Sequence, residues 1–331
     1  MKTVPETETN ASLVGVTSNT IAQVVKVIYD EENKKISSND LLTLPSTENE
    51  IINDIYDIYP KNQNDFFIQC FNFSKSQYEL KYAKYNASSS EYEQINIPSA
   101  HSKSLFDINH YLGETNLIHF ITSNQIEMID IDNKSITGVI PLYEKQTNPI
   151  KITSDMSVVE PDTIAVGLNS DIFICDTKSQ KITTQIQNAH KNAVLSLQYD
   201  PLNQLVICST GTDYSIKFWD IRKTDTCLGG IYDNSHWIWT SKYNKNYPNV
   251  LLTASSSSIV RNIIFNKIGE EDNKFDKNLN DYSFIDYCEF EDSVYAVDWL
   301  ANDSWMFVAV SYNSFFHVNT IPEEIKYKII I

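Results

Sequence analysis

Three residues of this chain have the types needed for a hydrolytic set: His190 as a base, Ser209 as a hydroxyl nucleophile and Asp213 as the carboxylate that orients the base. A fourth polar group, the Trp219 indole, lies ten residues beyond the serine. No nucleophile elbow surrounds Ser209, which ends the apolar run LVICS. A different use fits the spacing better. Asp213, in a Gly-Thr-Asp turn, can accept a hydrogen bond from His190, and the chain can continue through Ser209 to the Trp219 N–H. Four polar groups are then satisfied in an interior where each unpaired one would cost about 1–3 kcal/mol. The four read as a structural tetrad, and the sequence offers no catalytic, cofactor-binding or metal residues beside them.

The tetrad needs a particular set of elements to hold it. The stretch HKNAVLSLQYDPLNQLVICSTGTDYSIKFWD, from His190 to Asp220, gives three short strands separated by Asp200-Pro201 and by the turn at Gly211. A histidine before such strands and a Trp-Asp pair after them form one WD repeat, the unit of a β-propeller blade. Used as a ruler, this repeat finds six degraded copies. The first contains SLVGV and AQVVKVIYD, with 41–44 as a further strand. The second has INDIYDIYP, DFFIQCFN and YELKYAKYN, where packing of Phe66, Phe67, Ile68 and Phe71 replaces the polar chain. The third has LFDINHYL, NLIHFIT and QIEMIDID, and the fourth DTIAVGL, DIFICD and KITTQIQ. The sixth places Asn234, Thr253, Ser257 and Ile263 at the tetrad positions, and the seventh, DSVYAVDW, WMFVAVS and NSFFHVN, has Phe290 at the histidine position.

The expected fold is all-β: a single seven-bladed WD40 β-propeller over 11–331, after a flexible N-terminus at 1–10. Residues 266–281, NKIGEEDNKFDKNLND, read as a charged surface loop. The ending IPEEIKYKIII reads as a terminal strand that hides the last sheet edge.

Composition bounds the function. With 43 acidic and 26 basic residues the net charge is −17, the wrong sign for a duplex-phosphate partner. Cys70, Cys175, Cys208, Cys227 and Cys288 are odd in number and lack a CxxC pair, which suits a reducing compartment. His101, His110 and His119 recur every nine residues, which matches neither strand nor helix period and indicates no metal site. The opening MKTVPETETN has no apolar core behind a basic head, and no apolar run approaches the ~18 residues of a membrane span. Direct membrane insertion is not expected.

Candidate partner-binding residues lie downstream of the tetrad, on the expected rim. His236 and Trp237 fall in the turn before the inner strand of the sixth blade, where they could anchor a partner or pack on the next blade. Trp239 follows them, and Asp292, Tyr295 and Tyr312 hold related places in the seventh blade.

The segments SHWIWTSKYN from Ser235 to Asn244, DSVYAVDW, SYN at Ser311 to Asn313 and the ending IPEEIKYKIII resemble the WD-repeat proteins that interact with the EARP and GARP complexes. SLVG, VIYDEEN, and NAHKNAV through FWDIR follow the same order. The resemblance implies a propeller without catalytic residues or cofactors that binds subunits of the GARP/EARP vesicle-tethering complexes, as a monomer within a larger assembly. It implies a cytoplasmic protein, peripheral at the trans-Golgi network and endosomes through its partners, supporting endosome-to-Golgi retrieval and endosomal recycling. The chain departs from that family at Asn234 and Phe290, where histidines are expected. Two alternatives stand beside it: a propeller enzyme of the diphthine methylesterase type, and a histone- or peptide-binding propeller, the latter on acidity alone.

Overall fold

The structure, a computed structural model, describes residues 11–17, 21–30, 35–45, 50–57, 66–86, 91–97, 106–110, 117–130, 133, 135–143, 149–157, 159–160, 162–268, 276–300, 303–313 and 316–330. The N-terminal segment 1–10 lies outside them. Alternation of apolar and polar residues with frequent turns produces short antiparallel strands, and the described strands group into seven sheets in chain order. Three-stranded sheets begin with Ala11–Thr17 and Val294–Trp299. Four-stranded sheets begin with Glu50–Asp57, Phe106–His110, Ile152–Met156, Val194–Tyr199 and Ile238–Tyr243. We call the sheets blades one to seven.

The opening strands of successive blades pack side by side, from blade three through blade seven and between blades one and two. This places the first strand of each blade innermost, as in a β-propeller. Both faces of blades four, five and six are apolar because each faces another blade. One core layer joins Ile164, Val166 and Phe173 of blade four to Ile121 and Ile126 of blade three. Another joins Ile172 and Ile174 to Leu197 and Trp219 of blade five, and a third joins Cys208 and Phe218 to Leu251 and Phe265 of blade six.

Side chains stitch the inner strands where no β-ladder runs between blades. The Tyr199 N–H donates to Asp155 Oδ2 at 2.7 Å, the Tyr243 N–H to Gln198 Oε1 at 2.8 Å, and the Trp299 indole to the Lys242 carbonyl at 3.0 Å. Burial raises the Asp155 carboxyl to about 6, against the Tyr199 bond that favours its charged form.

Two expectations are corrected. Residues 266–281 are not simply a loop: the strand Val260–Ile268 runs into the segment and pairs with Asp276–Tyr287, with Lys267 opposite Lys277 and Ile268 opposite Asp276. Asn266 Nδ2 also donates to Asp281 Oδ1 at 2.8 Å. Charge content did not prevent strand pairing, because the pairing is made by backbone groups. Residues 269–275 lie outside the described residues.

The ending is also not a strand. Glu323–Ile330 form an α-helix, opened by Pro322, with acids in its first turn and Lys328 in its last. Ile321, Ile325 and Ile329, four apart, pack with Val250 and Ile264, and Lys326 lies 5.7 Å from the Trp305 ring centre. That four-residue spacing makes a helical stripe of the stretch expected to be a terminal strand. No helix of the described residues is long and apolar enough to cross a membrane.

Candidate interaction face

The tetrad of blade five is assembled as a continuous chain. Trp219 Nε1 donates to Ser209 Oγ at 2.9 Å, Ser209 Oγ lies 2.8 Å from His190 Nε2, and His190 Nδ1 lies 2.7 Å from Asp213 Oδ1. One proton assignment satisfies every link: the serine hydroxyl donates to Nε2, and a neutral ring donates from Nδ1 to the carboxylate. Burial holds His190 below its ordinary pKa despite the attraction of Asp213. Burial alone would raise Asp213, but hydrogen bonds from His190 and Ser215 outweigh it and hold the carboxyl far below its usual range. His190 and Ser209 have no exposed surface, so a substrate could not reach either without opening the blade. Gly211 is part of the arrangement, since a Cβ there would stand 2.5 Å from His190 Nδ1.

The rim candidates are held by a second repeated device. In blades five, six and seven the inner strand carries a β-bulge at the same place, between Val194 and Ser196, Ile238 and Thr240, and Val294 and Ala296. A bulge inserts one residue and re-aims its side chain. The inserted residues are Leu195, Trp239 and Tyr295. Leu195 is fully buried, Trp239 is partly exposed and Tyr295 is 40% exposed.

These rings meet others from the adjoining turns. Trp237 and Trp239 have centroids 5.4 Å apart, Trp239 and Tyr295 4.8 Å, and Tyr295 and Tyr312 5.9 Å. Four of the six candidates therefore form one ladder across blades six and seven. Trp237 is 36% exposed and Tyr312 69%. The backbone beneath is fixed: the Trp237 carbonyl accepts from the Ser256 N–H at 2.9 Å, the Ser256 carbonyl accepts from Ser293 Oγ at 3.2 Å, and the Tyr312 N–H donates to the Ser293 carbonyl at 2.8 Å. The other two candidates stand outside the ring contacts. His236 Nδ1 lies 2.8 Å from Ser235 Oγ, and Asp292 Oδ1 accepts from the Ser293 N–H at 2.7 Å.

The fold alone does not call for these aromatics. Blade six follows blade five by forty-four residues and blade seven by one hundred, as the paired bulges show. At the ladder positions blade five has Ala193, Leu195 and Thr212, all buried. The same backbone is thus built with small or aliphatic residues in one blade and with large exposed rings in the next two.

Two neighbouring features escaped the sequence reading. Lys151, before the inner strand of blade four, reaches the Trp239 carbonyl with its Nζ at 3.1 Å, a contact between residues 88 apart that no local pattern announces. Arg261 takes the place of Lys217 forty-four residues on, a match the ruler could have found. Its guanidinium grips Asp286 at 2.6 and 2.9 Å, approaches Asp233 at 3.4 Å and lies 4.1 Å from the Phe284 ring centre.

The fold and the repeated bulged blades define a WD-type β-propeller. Residues 2–262 match the EIPR1 β-propeller family model, and the chain belongs to that family. The match includes Trp237 and Trp239 and ends before Tyr295 and Tyr312. The human EARP and GARP complex-interacting protein 1 is 29% identical over 243 residues, covering 66% of this chain and 63% of the relative. The EARP-interacting protein 1 of Caenorhabditis elegans is 28% identical over 165 residues, 46% of each chain. The chain thus matches somewhat less than two-thirds of the human relative's length. A chain of the crystal structure of the mitotic checkpoint complex superposes with a TM-score of 0.66 over 97% of this chain and 89% of its own, at 10% identity, a likeness of fold alone.

Proposed function

We propose that the protein is a non-enzymatic interaction scaffold whose rim over blades six and seven binds subunits of the GARP/EARP tethering complexes. In this role it supports endosome-to-Golgi retrieval and endosomal recycling, acting in the cytoplasm and reaching trans-Golgi and endosomal membranes through its partners. The names of the relatives support the partner class. The observation that carries the site is the aromatic ladder, built where blade five has Ala193, Leu195 and Thr212. Exposed aromatic anchors are the usual hot spots of protein interfaces, and packing Trp237 on Trp239 fixes them in place before binding. A hydrolytic role finds no support in the tetrad, whose serine and histidine are enclosed.

The test is capture of tether subunits from cell extract by the intact chain and by a Trp237→Ala, Tyr312→Ala double variant. Capture should fall about tenfold or more, since hot-spot truncations cost upward of ~1–2 kcal/mol. Tyr312 is the most exposed ring of the ladder, so Tyr312→Ala by itself should change folding stability by less than about 0.5 kcal/mol. Undiminished capture by a double variant that melts with the parent would remove the rim from the interface.

A further inference from the structure

Resting on that docking face, we infer that the ladder recognises an arginine in an extended segment of the partner. The charge around the rings selects the class of occupant. The turn 232–237 that leads to Trp239 contains Asp233 and no lysine or arginine, and the turn 288–293 that leads to Tyr295 contains Glu289, Glu291 and Asp292 and no basic residue. Asp233, Glu289 and Glu291 are exposed, and of these Asp233 already has Arg261 at 3.4 Å, so Glu289 and Glu291 carry most of the attraction. The opposing turns, 256–259 and 312–313, are uncharged. A cationic segment is therefore attracted to this part of the rim, and an acidic one is repelled.

The rings then select among cations. A guanidinium is planar, weakly hydrated and able to stack on a ring while its N–H groups reach carboxylates, whereas an ammonium is a compact, strongly hydrated charge. Blade six already contains this chemistry within its own structure: Arg261 lies over Phe284 while gripping Asp286 and approaching Asp233. The ladder has exposed rings, and the turn that leads into Tyr295 carries the exposed carboxylates of Glu289 and Glu291, with the arginine to be supplied by the partner. The cation at its inner end, Lys151, is engaged with the Trp239 carbonyl.

The experiment uses the purified full chain and three fluorescein-labelled short peptides, in which glycine alternates with arginine, lysine or glutamate. Anisotropy is read at about 150 mM salt, where diffuse attraction between exposed charges is screened beyond ~8 Å. The arginine peptide should bind, the lysine peptide about fivefold more weakly, and the glutamate peptide not at all. Trp237→Ala and Tyr312→Ala should each weaken arginine-peptide binding about five- to tenfold with the melting temperature retained, while Trp237→Phe should stay within about threefold of the parent. Equal binding of the arginine and lysine peptides, indifferent to the aromatic variants, would overturn the inference and leave only diffuse attraction to an acidic protein. The capture experiment separates the two proposals. Loss of tether capture without loss of arginine-peptide binding keeps the docking face and rejects the arginine. Loss of peptide binding with full capture keeps the arginine site and rejects the docking face.

Discussion

Blade five and blade seven have one backbone design and two different means of holding it together. Counting one hundred residues from one to the other, His190 becomes Phe290, Ser209 becomes Ala309, Asp213 becomes Asn313, Lys217 becomes His317 and Trp219 becomes Asn319. In blade five the interior is a polar chain with each link made at 2.7 to 2.9 Å. In blade seven Phe290 meets His317 edge to face at 4.7 Å, and Phe307 takes ring contacts from Tyr287 at 4.9 Å and Trp299 at 5.9 Å. Removing one member of a polar chain leaves others without partners. Asn319 Nδ2 of blade seven and Asn234 Nδ2 of blade six are buried and unbonded, where Trp219 and His190 of blade five find their partners. Ring packing then supplies the cohesion, because aromatic contacts add about 0.5–1.5 kcal/mol beyond the area they bury.

The comparison can be broken most forcefully in blade five. His190→Ala should cost about 3–5 kcal/mol, because it opens a cavity and takes one hydrogen-bond partner from the Asp213 carboxylate and one from the Ser209 hydroxyl. A shift of the urea midpoint of under ~1 kcal/mol in free energy would show that the chain is not what holds the blade.

Blade seven offers the converse experiment. Phe290→His places an imidazole opposite Ala309 and Asn313, where no serine receives it, and should cost about 1–3 kcal/mol in chemical denaturation. Adding Ala309→Ser, Asn313→Asp and Asn319→Trp rebuilds the set of blade five and should recover at least about half of that loss. Failure of the rebuilt blade to recover would mean that the polar chain depends on more than those positions.

The smallest effect is on pH. Burial depresses the folded-state pKa of His190, so the unfolded chain binds a proton first as pH falls. The stability contributed by the neutral ring is complete above its ordinary value of 6.5 and is lost as pH falls through that value towards the folded pKa. Asp155 acts in the opposite sense: its raised pKa makes its contribution present at low pH and lost as pH rises through about 6. A His190→Gln variant isolates the two. Between pH 7.5 and 5.5 the parent should lose more stability than the variant by about 1 kcal/mol, and parallel pH profiles in denaturant melts would contradict the assignment.

Much of this was legible in the residues before any coordinates. The His190 to Asp220 repeat announced a blade, and the ruler it provided located Ile238–Tyr243 and Val294–Trp299 as inner strands. Trp237, Trp239, Tyr295 and Tyr312 were each visible as rim residues, but their union was not. Trp239 and Tyr295 are fifty-six positions apart, and only the packing of one blade on the next brings their centroids to 4.8 Å. The 266–281 stretch misled because charge describes side chains, whereas the pairing of Lys267 with Lys277 and of Ile268 with Asp276 is made by the backbone. The ending misled because its apolar residues read as a closing strand while Ile321, Ile325 and Ile329 keep helical spacing.

The sequence by itself determined the all-β class, the repeat, the polar set within blade five and the acidic charge, because strand period, turn residues and side-chain hydrogen-bonding capacity are local properties. Tertiary structure decided which face the aromatics share, that two bulges aim Trp239 and Tyr295 at one another, and that the chain ends in a helix. Those outcomes depend on contacts between residues far apart in the chain, and such contacts form only when the blades close against each other.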